Sequence, residues 1–116
     1  MLGVASAASA HHSAAAKYDA DRTLEIRGTI VEFKWRNPHC FAYIDVAEGP
    51  FKGQTYSIEF GSPGVLTKGG WTRDLLRPGD HVAMSVHPSR AGAPVGLCRD
   101  CPLTINGKLA KTKVMQ

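Results

Sequence analysis

Two adjacent histidines, His11 and His12, follow a run of small and apolar residues that ends Ala8-Ser9-Ala10. Small residues at the first and third of these positions match the pattern cleaved by signal peptidase. We therefore expect residues 1–10 to be the remnant of a signal peptide, or else a flexible arm, and the mature protein to be periplasmic or secreted. Cleavage there leaves His11 as the first residue, where its α-amine and imidazole can bind one metal ion.

Copper is the predicted metal, because imidazole nitrogen suits Cu(II) and copper heads the divalent affinity order. The amine and Nδ1 of His11 would close one chelate ring. His39 is the predicted second imidazole, since Pro38 stiffens the turn that carries it. His12 offers an alternative chelate through the amine, the intervening amide nitrogen and its own ring. The competing interpretation is that His11 and His12 are solvated and that His39 hydrogen-bonds its own turn.

The pair Cys98 and Cys101 has Cys-x-x-Cys spacing, and Cys40 is the third cysteine. Such a pair can be a short disulfide, half a zinc site or a redox motif. Pro102 and the strand-like residues on either side disfavour the helix opening of a thioredoxin-like site. In an oxidising compartment we expect a local Cys98–Cys101 disulfide, with free thiols and metal binding as the alternatives.

Length and composition indicate one soluble domain. The chain has 116 residues, of which 43% are hydrophobic and 21% charged, and a formal net charge of +4. No apolar run approaches the ~18 residues of a membrane span, so we expect none. The domain is predicted over residues 11–110, with a tail over 111–116.

Alternating apolar residues predict three strands in the first half of the chain, over 23–35, 40–46 and 55–60. Within the first strand the apolar parity changes after Gly28, which predicts a bulge there. Ser62 and Pro63 have the residue types of a helix start, so a short helix is expected up to Gly69-Gly70. Strands follow over 81–87 and 95–105, and a turn at Asn106-Gly107 predicts a final hairpin.

This order of elements predicts an all-β fold with one short helical connection, a small five-stranded barrel of OB type. A small β-sandwich is the alternative. OB modules that bind nucleic acid place basic and stacking residues on their second and third strands. The predicted strands at 40–46 and 55–60 contain no Lys or Arg, so we expect no nucleic-acid partner.

No recognisable catalytic pattern is present. The sequence lacks a Gly-x-Ser-x-Gly frame and a His-Glu-x-x-His motif. His39 and Cys40 are neighbours along a strand and so face opposite sides. We expect a non-enzymatic carrier or accessory protein for copper. The alternative is a metal-free module that docks onto another exported protein, with Trp71 and Arg73 as candidate contact residues. Trp71 could instead cap the barrel end.

Several short motifs together resemble a family of short exported bacterial proteins of unknown function. The family is marked by His-His-Ser at the mature N-terminus and by Asn-Pro-His after the first strand. The matching motifs are His11-His12-Ser13, Tyr18-Asp19, Gly28-Thr29, Trp35-Arg36-Asn37-Pro38-His39, Gly61-Ser62-Pro63, Gly70-Trp71-Thr72-Arg73 and Pro78-Gly79-Asp80. The resemblance implies export and a small β-rich fold, and it implies no activity. The three cysteines depart from the family pattern.

Overall fold

The computed structural model describes residues 14–112. These residues form a short helical turn at 14–17, seven strands and one further helix. The strands are β1 (Leu24–Lys34), β2 (Phe41–Val46), β3 (Thr55–Glu59), β4 (His81–Pro88), β5 (Val95–Leu97), β6 (Leu103–Ile105) and β7 (Lys108–Leu109), and the helix α1 (Pro63–Lys68) lies between β3 and β4. None of the helices in this part of the chain has the length and apolar character needed to cross a bilayer.

Five of the strands close into a barrel. The antiparallel meander β1–β2–β3 continues through the parallel pair β3–β5 and the antiparallel pair β5–β4, and β4 then pairs with β1. The strands β6 and β7 extend the sheet beyond β4. The predicted five-stranded barrel is thus confirmed and is consistent with OB type, whereas the alternative of two stacked sheets is not formed.

The strand β1 is long because it pairs with two partners. Its first half, Leu24 to Thr29, pairs with β4, and the part from Gly28 onward pairs with β2. The register with β2 shifts between Ile30 and Glu32, so Val31 is the extra residue of a bulge and is 47% exposed. The predicted bulge therefore exists, but it lies at Val31 and not directly after Gly28.

Gly28 has a different role, at the point where β1 enters both ladders. A Cβ at this position would overlap the backbone carbonyl oxygen of Asp45 and would lie 2.8 Å from Cγ2 of Ile44. Only glycine lets the two strands approach this closely. The residue thus permits the tight coil by which one strand serves both halves of the barrel.

The barrel interior is filled by the inward side chains of β1, β2, β3 and β4, whereas the inward residue of β5 is Gly96. Its largest fully buried members include Ile26, Ile30, Ile44, Tyr56, Ile58, Phe60 and Met84. The helix α1 begins as predicted, since the Ser62 side chain accepts a hydrogen bond from Val65 N at 3.2 Å. Its buried residue Leu66 joins the same core cluster, so the helix covers one part of the barrel interior.

The last predicted strand is interrupted. Residues 95–105 form β5 and β6 with a loop between them, because Cys98 and Cys101 are joined by a disulfide. Asp100 inside this loop has a φ of 56°, a left-handed conformation that ends regular strand pairing. The short strands that result allow β5 to pair with β3 while β6 pairs with β4.

Replacing Gly28 by alanine is expected to lower the free energy of unfolding by about 2–3 kcal/mol or more, because the added methyl group overlaps backbone atoms that cannot move aside. Urea unfolding followed by circular dichroism measures the change. The matched control is Gly64→Ala, whose Cβ would meet only Ser62 Oγ at 3.8 Å. A Gly28→Ala variant as stable as the Gly64→Ala variant would contradict this account of the close approach.

Candidate functional site

His39 contacts a carboxylate on the outside of the barrel. It follows the turn at Arg36–Pro38, in which the Asn37–Pro38 peptide bond is cis, and it precedes β2 by two residues. The register that pairs Phe41 with Glu59 places the end of β3 beside this turn. Nδ1 of His39 lies 3.1 Å from Oε2 of Glu59, and the two side chains are 48% and 17% exposed.

The same carboxylate binds a residue from the start of the described chain. The hydroxyl of Tyr18 donates to Oε1 of Glu59 at 2.7 Å, and Tyr18 is 3% exposed. Burial, the hydrogen bond to Glu59 and the negative charge of that carboxylate all raise the pKa of Tyr18. The phenol therefore keeps its proton and remains a hydrogen-bond donor. Oε1 of Glu59 accepts from Tyr18, while Oε2 lies next to His39.

This arrangement sets the chemistry of the imidazole. A carboxylate can only accept hydrogen bonds when ionised, so Nδ1 of His39 carries the proton that faces Glu59. In the neutral ring Nε2 then holds the lone pair. A carboxylate behind a histidine is the common arrangement around protein metal sites, where it fixes the tautomer and orients the ligand nitrogen. Nε2 is thus the ring nitrogen of His39 that does not face Glu59.

Residues 14–22, which we call the N-terminal strap, lie across the end of β4. Asp19 N donates to Pro88 O, Arg90 N donates to Lys17 O, and Tyr18 forms an isolated β-bridge with Ser89. The Arg90 side chain adds a bond from Nε to Ala15 O at 2.7 Å. The strap therefore holds Tyr18 over the outer face of the barrel next to Glu59.

The predicted ligands His11 and His12 lie outside the described residues. The first described residue, Ala14, lines a cavity of about 230 Å³. The other lining residues are Ala15, Tyr18, Ala20, His87, Leu97 and Arg99. Cross-strand pairing connects this cavity with the first site, since Leu97 pairs with Glu59 on one side and with His87 on the other. Glu59, Leu97 and His87 thus form one row across three strands, with Tyr18 beside it.

The two histidines of β4 differ in environment. His87 is partly buried, and its Nδ1 lies 2.9 Å from the carbonyl oxygen of Arg22. His81 is exposed, and its Nδ1 lies 3.4 Å from Thr29 Oγ1. Within residues 14–112, no group of three or more His, Cys, Asp and Glu side chains is arranged to hold a metal ion.

The cysteines lie in two chemical states. Cys98 and Cys101 form a disulfide, whereas Cys40 is a free thiol that is fully buried in the core. Burial raises the pKa of the Cys40 thiol, which keeps it protonated and unreactive. His39 points to the outer face while Cys40 points inward, so the two do not act on each other.

The two candidate docking residues differ in solvent exposure, since Trp71 is buried and Arg73 is exposed. Trp71 is 2% exposed and packs against Phe60 and Phe33, with ring centroids 5.0 and 6.1 Å apart. Its indole therefore belongs to the core at the barrel end and offers no surface to a partner. Arg73 is exposed.

Sequence reasoning missed the roles of Tyr18, Glu59 and His87. Tyr18 lies before the first strand, and no periodicity connects it with residue 59. The outward position of Glu59 follows from strand alternation, but its neighbours depend on the parallel pairing of β3 with β5. The Tyr18-Asp19 motif was the only available signal.

The model of one family, described as "Family of unknown function (DUF6152)", matches residues 1–99. This range includes both histidine-bearing motifs, Tyr18 and Glu59. Comparison with curated proteins and with solved structures gives no match.

Replacing Tyr18 by phenylalanine is expected to lower the free energy of unfolding by about 1.5–3 kcal/mol, the usual contribution of a hydrogen bond to a charged group. Glu59 loses a donor in a partly buried position, and the strap loses its side-chain contact. Thermal and urea unfolding measure the effect. The control is Tyr43→Phe, because Tyr43 contributes its ring to contacts with Phe41 and Lys34. Equal stability of the two variants would rule out a stabilising bond to Glu59.

The raised pKa values of Tyr18 and Tyr56 predict that the free energy of unfolding decreases at alkaline pH. Burial raises the pKa of Tyr56 from the ordinary tyrosine value of 10.0 to about 12, and burial and the contact with Glu59 raise the pKa of Tyr18 from the same value. A group whose pKa is higher in the folded state stabilises the fold fully below its unfolded pKa. This contribution is lost as the pH rises through the folded value.

The free energy of unfolding is therefore expected to fall as the pH rises from about 10 toward 12. Tyr56→Phe and Tyr18→Phe should each make this decrease shallower, whereas Tyr43→Phe should leave its slope unchanged. Urea titrations at several pH values test this. A slope that none of the three substitutions alters would assign the pH dependence to other groups.

Proposed function

We propose that this chain, which belongs to the DUF6152 family of unknown function, is an exported copper-binding carrier or accessory protein. The ion would be bound by the mature N-terminal His11 and by His39, with His12 as the alternative N-terminal ligand. The observation that carries the proposal is the series of contacts His39–Glu59–Tyr18, in which Glu59 lies 3.1 Å from Nδ1 of His39 and accepts a hydrogen bond from the hydroxyl of Tyr18. It orients one imidazole and anchors the N-terminal strap at the same carboxylate.

The state of His39 supports the ligand assignment. Its Nδ1 is engaged by Glu59, which leaves Nε2 for the metal, and the side chain is half exposed. An imidazole held in one orientation loses little conformational entropy on binding. Imidazole nitrogen also suits Cu(II), which heads the affinity order of the divalent metals.

The position of the strap supports the participation of His11. His11 lies three positions before Ala14, and a segment of this length spans at most about 11 Å when extended. Ala14 and Tyr18 line the same cavity, and Tyr18 hydrogen-bonds the carboxylate that contacts His39. The short spacing between His11 and the strap is what supports His11 as a ligand in the same site as His39.

The exposure of the site favours a carrier over a permanent structural site. A two-histidine site with one terminal amine supplies three nitrogens and leaves a coordination position open. A protein ligand from a recipient can enter at that position and exchange the ion. Binding requires the amine and imidazoles to lose their protons, so copper affinity should weaken as the pH falls.

Copper titration of a chain that begins at His11 is the decisive experiment. This chain is expected to bind one Cu(II) tightly, with nitrogen hyperfine couplings in its electron paramagnetic resonance spectrum, while a chain that begins at Met1 binds far more weakly. His39→Ala should reduce the affinity of the first chain by at least about tenfold, the equivalent of about 1.4 kcal/mol. His81→Ala is the matched control and should bind like the parent.

The possible outcomes test the terminal amine, His39 and the copper function separately. Equal affinity of the two chains would exclude the terminal amine as a ligand. Unchanged binding by His39→Ala would remove His39 from the site and leave His11 with His12. Absence of tight binding by both chains would overturn the copper function and favour the metal-free docking module. In that case the accessible Arg73 is a contact candidate, whereas the buried Trp71 is not.

A further inference from the structure

We infer that the cavity between the N-terminal strap and the β4–β5 edge binds a small organic carboxylate. The cavity has about 230 Å³ and lies on the other side of Tyr18 from His39. This binding is independent of copper and extends beyond the proposed metal function.

The walls of the cavity fit a short apolar group. Ala14, Ala15 and Ala20 have no side-chain group larger than a methyl, and Leu97 adds a larger apolar side chain. A volume of this size equals that of roughly seven or eight liquid water molecules. It therefore admits an acyl chain of a few carbon atoms and excludes a peptide or a nucleotide.

Arg99 supplies the charge that selects an anion. It lines the cavity and lies between Cys98 and Cys101, whose disulfide closes its loop. Cys98 N also donates to Glu59 O, so the backbone that carries Arg99 is fixed at both ends. A guanidinium presents paired N–H donors that match both oxygens of a carboxylate.

Among residues 14–112, no carboxylate forms an ion pair with this arginine. The ion pairs there are Arg27 with Glu25 and His39 with Glu59, and the described residues that line the cavity include no acidic one. Glu59 is close in the cross-strand row, but its two oxygens bind Tyr18 and His39. Asp100 follows Arg99 in the loop, and its side chain is exposed.

His87 provides a second polar group at the same cavity. Its Nδ1 donates to the carbonyl oxygen of Arg22 at 2.9 Å, which fixes the ring and leaves Nε2 for a ligand. When Nε2 carries a proton, it can donate to the carboxylate alongside Arg99. The cavity thus combines alanine and leucine side chains, an exposed arginine on a disulfide-closed loop and one oriented imidazole.

Nuclear magnetic resonance titration of metal-free protein tests this site, with butyrate as the probe and inorganic phosphate and butylammonium as comparisons. Butyrate should shift the signals of Leu97 and Arg99 in a saturable manner. Arg99→Gln should weaken binding by at least about tenfold, as expected when a bidentate charged hydrogen bond is removed. His87→Gln should weaken it severalfold, whereas Arg73→Gln and His81→Gln should have no effect.

Three results would overturn the inference. These are no saturable shift with butyrate, undiminished binding by a folded Arg99→Gln variant, and equal binding of phosphate or butylammonium. Because chelator-treated protein is used, failure here leaves the copper proposal intact. Conversely, a chain that binds no copper could still bind butyrate.

Discussion

The closed barrel depends on one strand that hydrogen-bonds two partners at once. Gly28 and Thr29 pair with β2 on one edge and with β4 on the other. A side chain at position 28 would collide with the β2 backbone, and the bulge at Val31 then redirects the strand along β2. Closure in turn brings β5 between β3 and β4, and this placement produces the outer row of Glu59, Leu97 and His87.

Glu59 is the residue through which the outer face is organised. Its two oxygens are divided between a buried phenol and an exposed imidazole, so the position of the strap and the orientation of His39 depend on one carboxylate. The proposed copper function uses the imidazole, and the proposed carboxylate cavity lies beyond Tyr18. Each proposal uses one imidazole whose Nδ1 already contacts an oxygen, His39 at Glu59 and His87 at the Arg22 carbonyl, which lowers the entropic cost of binding.

The strands β1 to β4, the capped helix α1 and the barrel closure could be predicted from alternation and turn chemistry, because these signals are local. The exact bulge position could not, since apolar parity alone does not tell whether Val31 faces the core or solvent. The Cys98–Cys101 disulfide and the strand-like residues on either side of it could be predicted from the Cys-x-x-Cys spacing, but the separate partners of β5 and β6 could not, because they depend on barrel closure. The contacts of Tyr18 and His87 could not be predicted, because their partners Glu59 and Arg22 are distant in the sequence. Trp71 was open to two interpretations, and its environment follows only from the packing of Phe33 and Phe60.

The anchoring of the N-terminal strap has a consequence for how this region can vary. The bonds at Ala15 and Lys17 are accepted by their main-chain carbonyls, and the bond at Asp19 is donated by its main-chain amide. Docking of the strap is therefore largely indifferent to side-chain identity, with Tyr18 as the exception. Substitutions at Ala15 or Lys17 would therefore leave the main-chain bonds of the strap in place, so the surface chemistry at these positions can change at little cost to the fold.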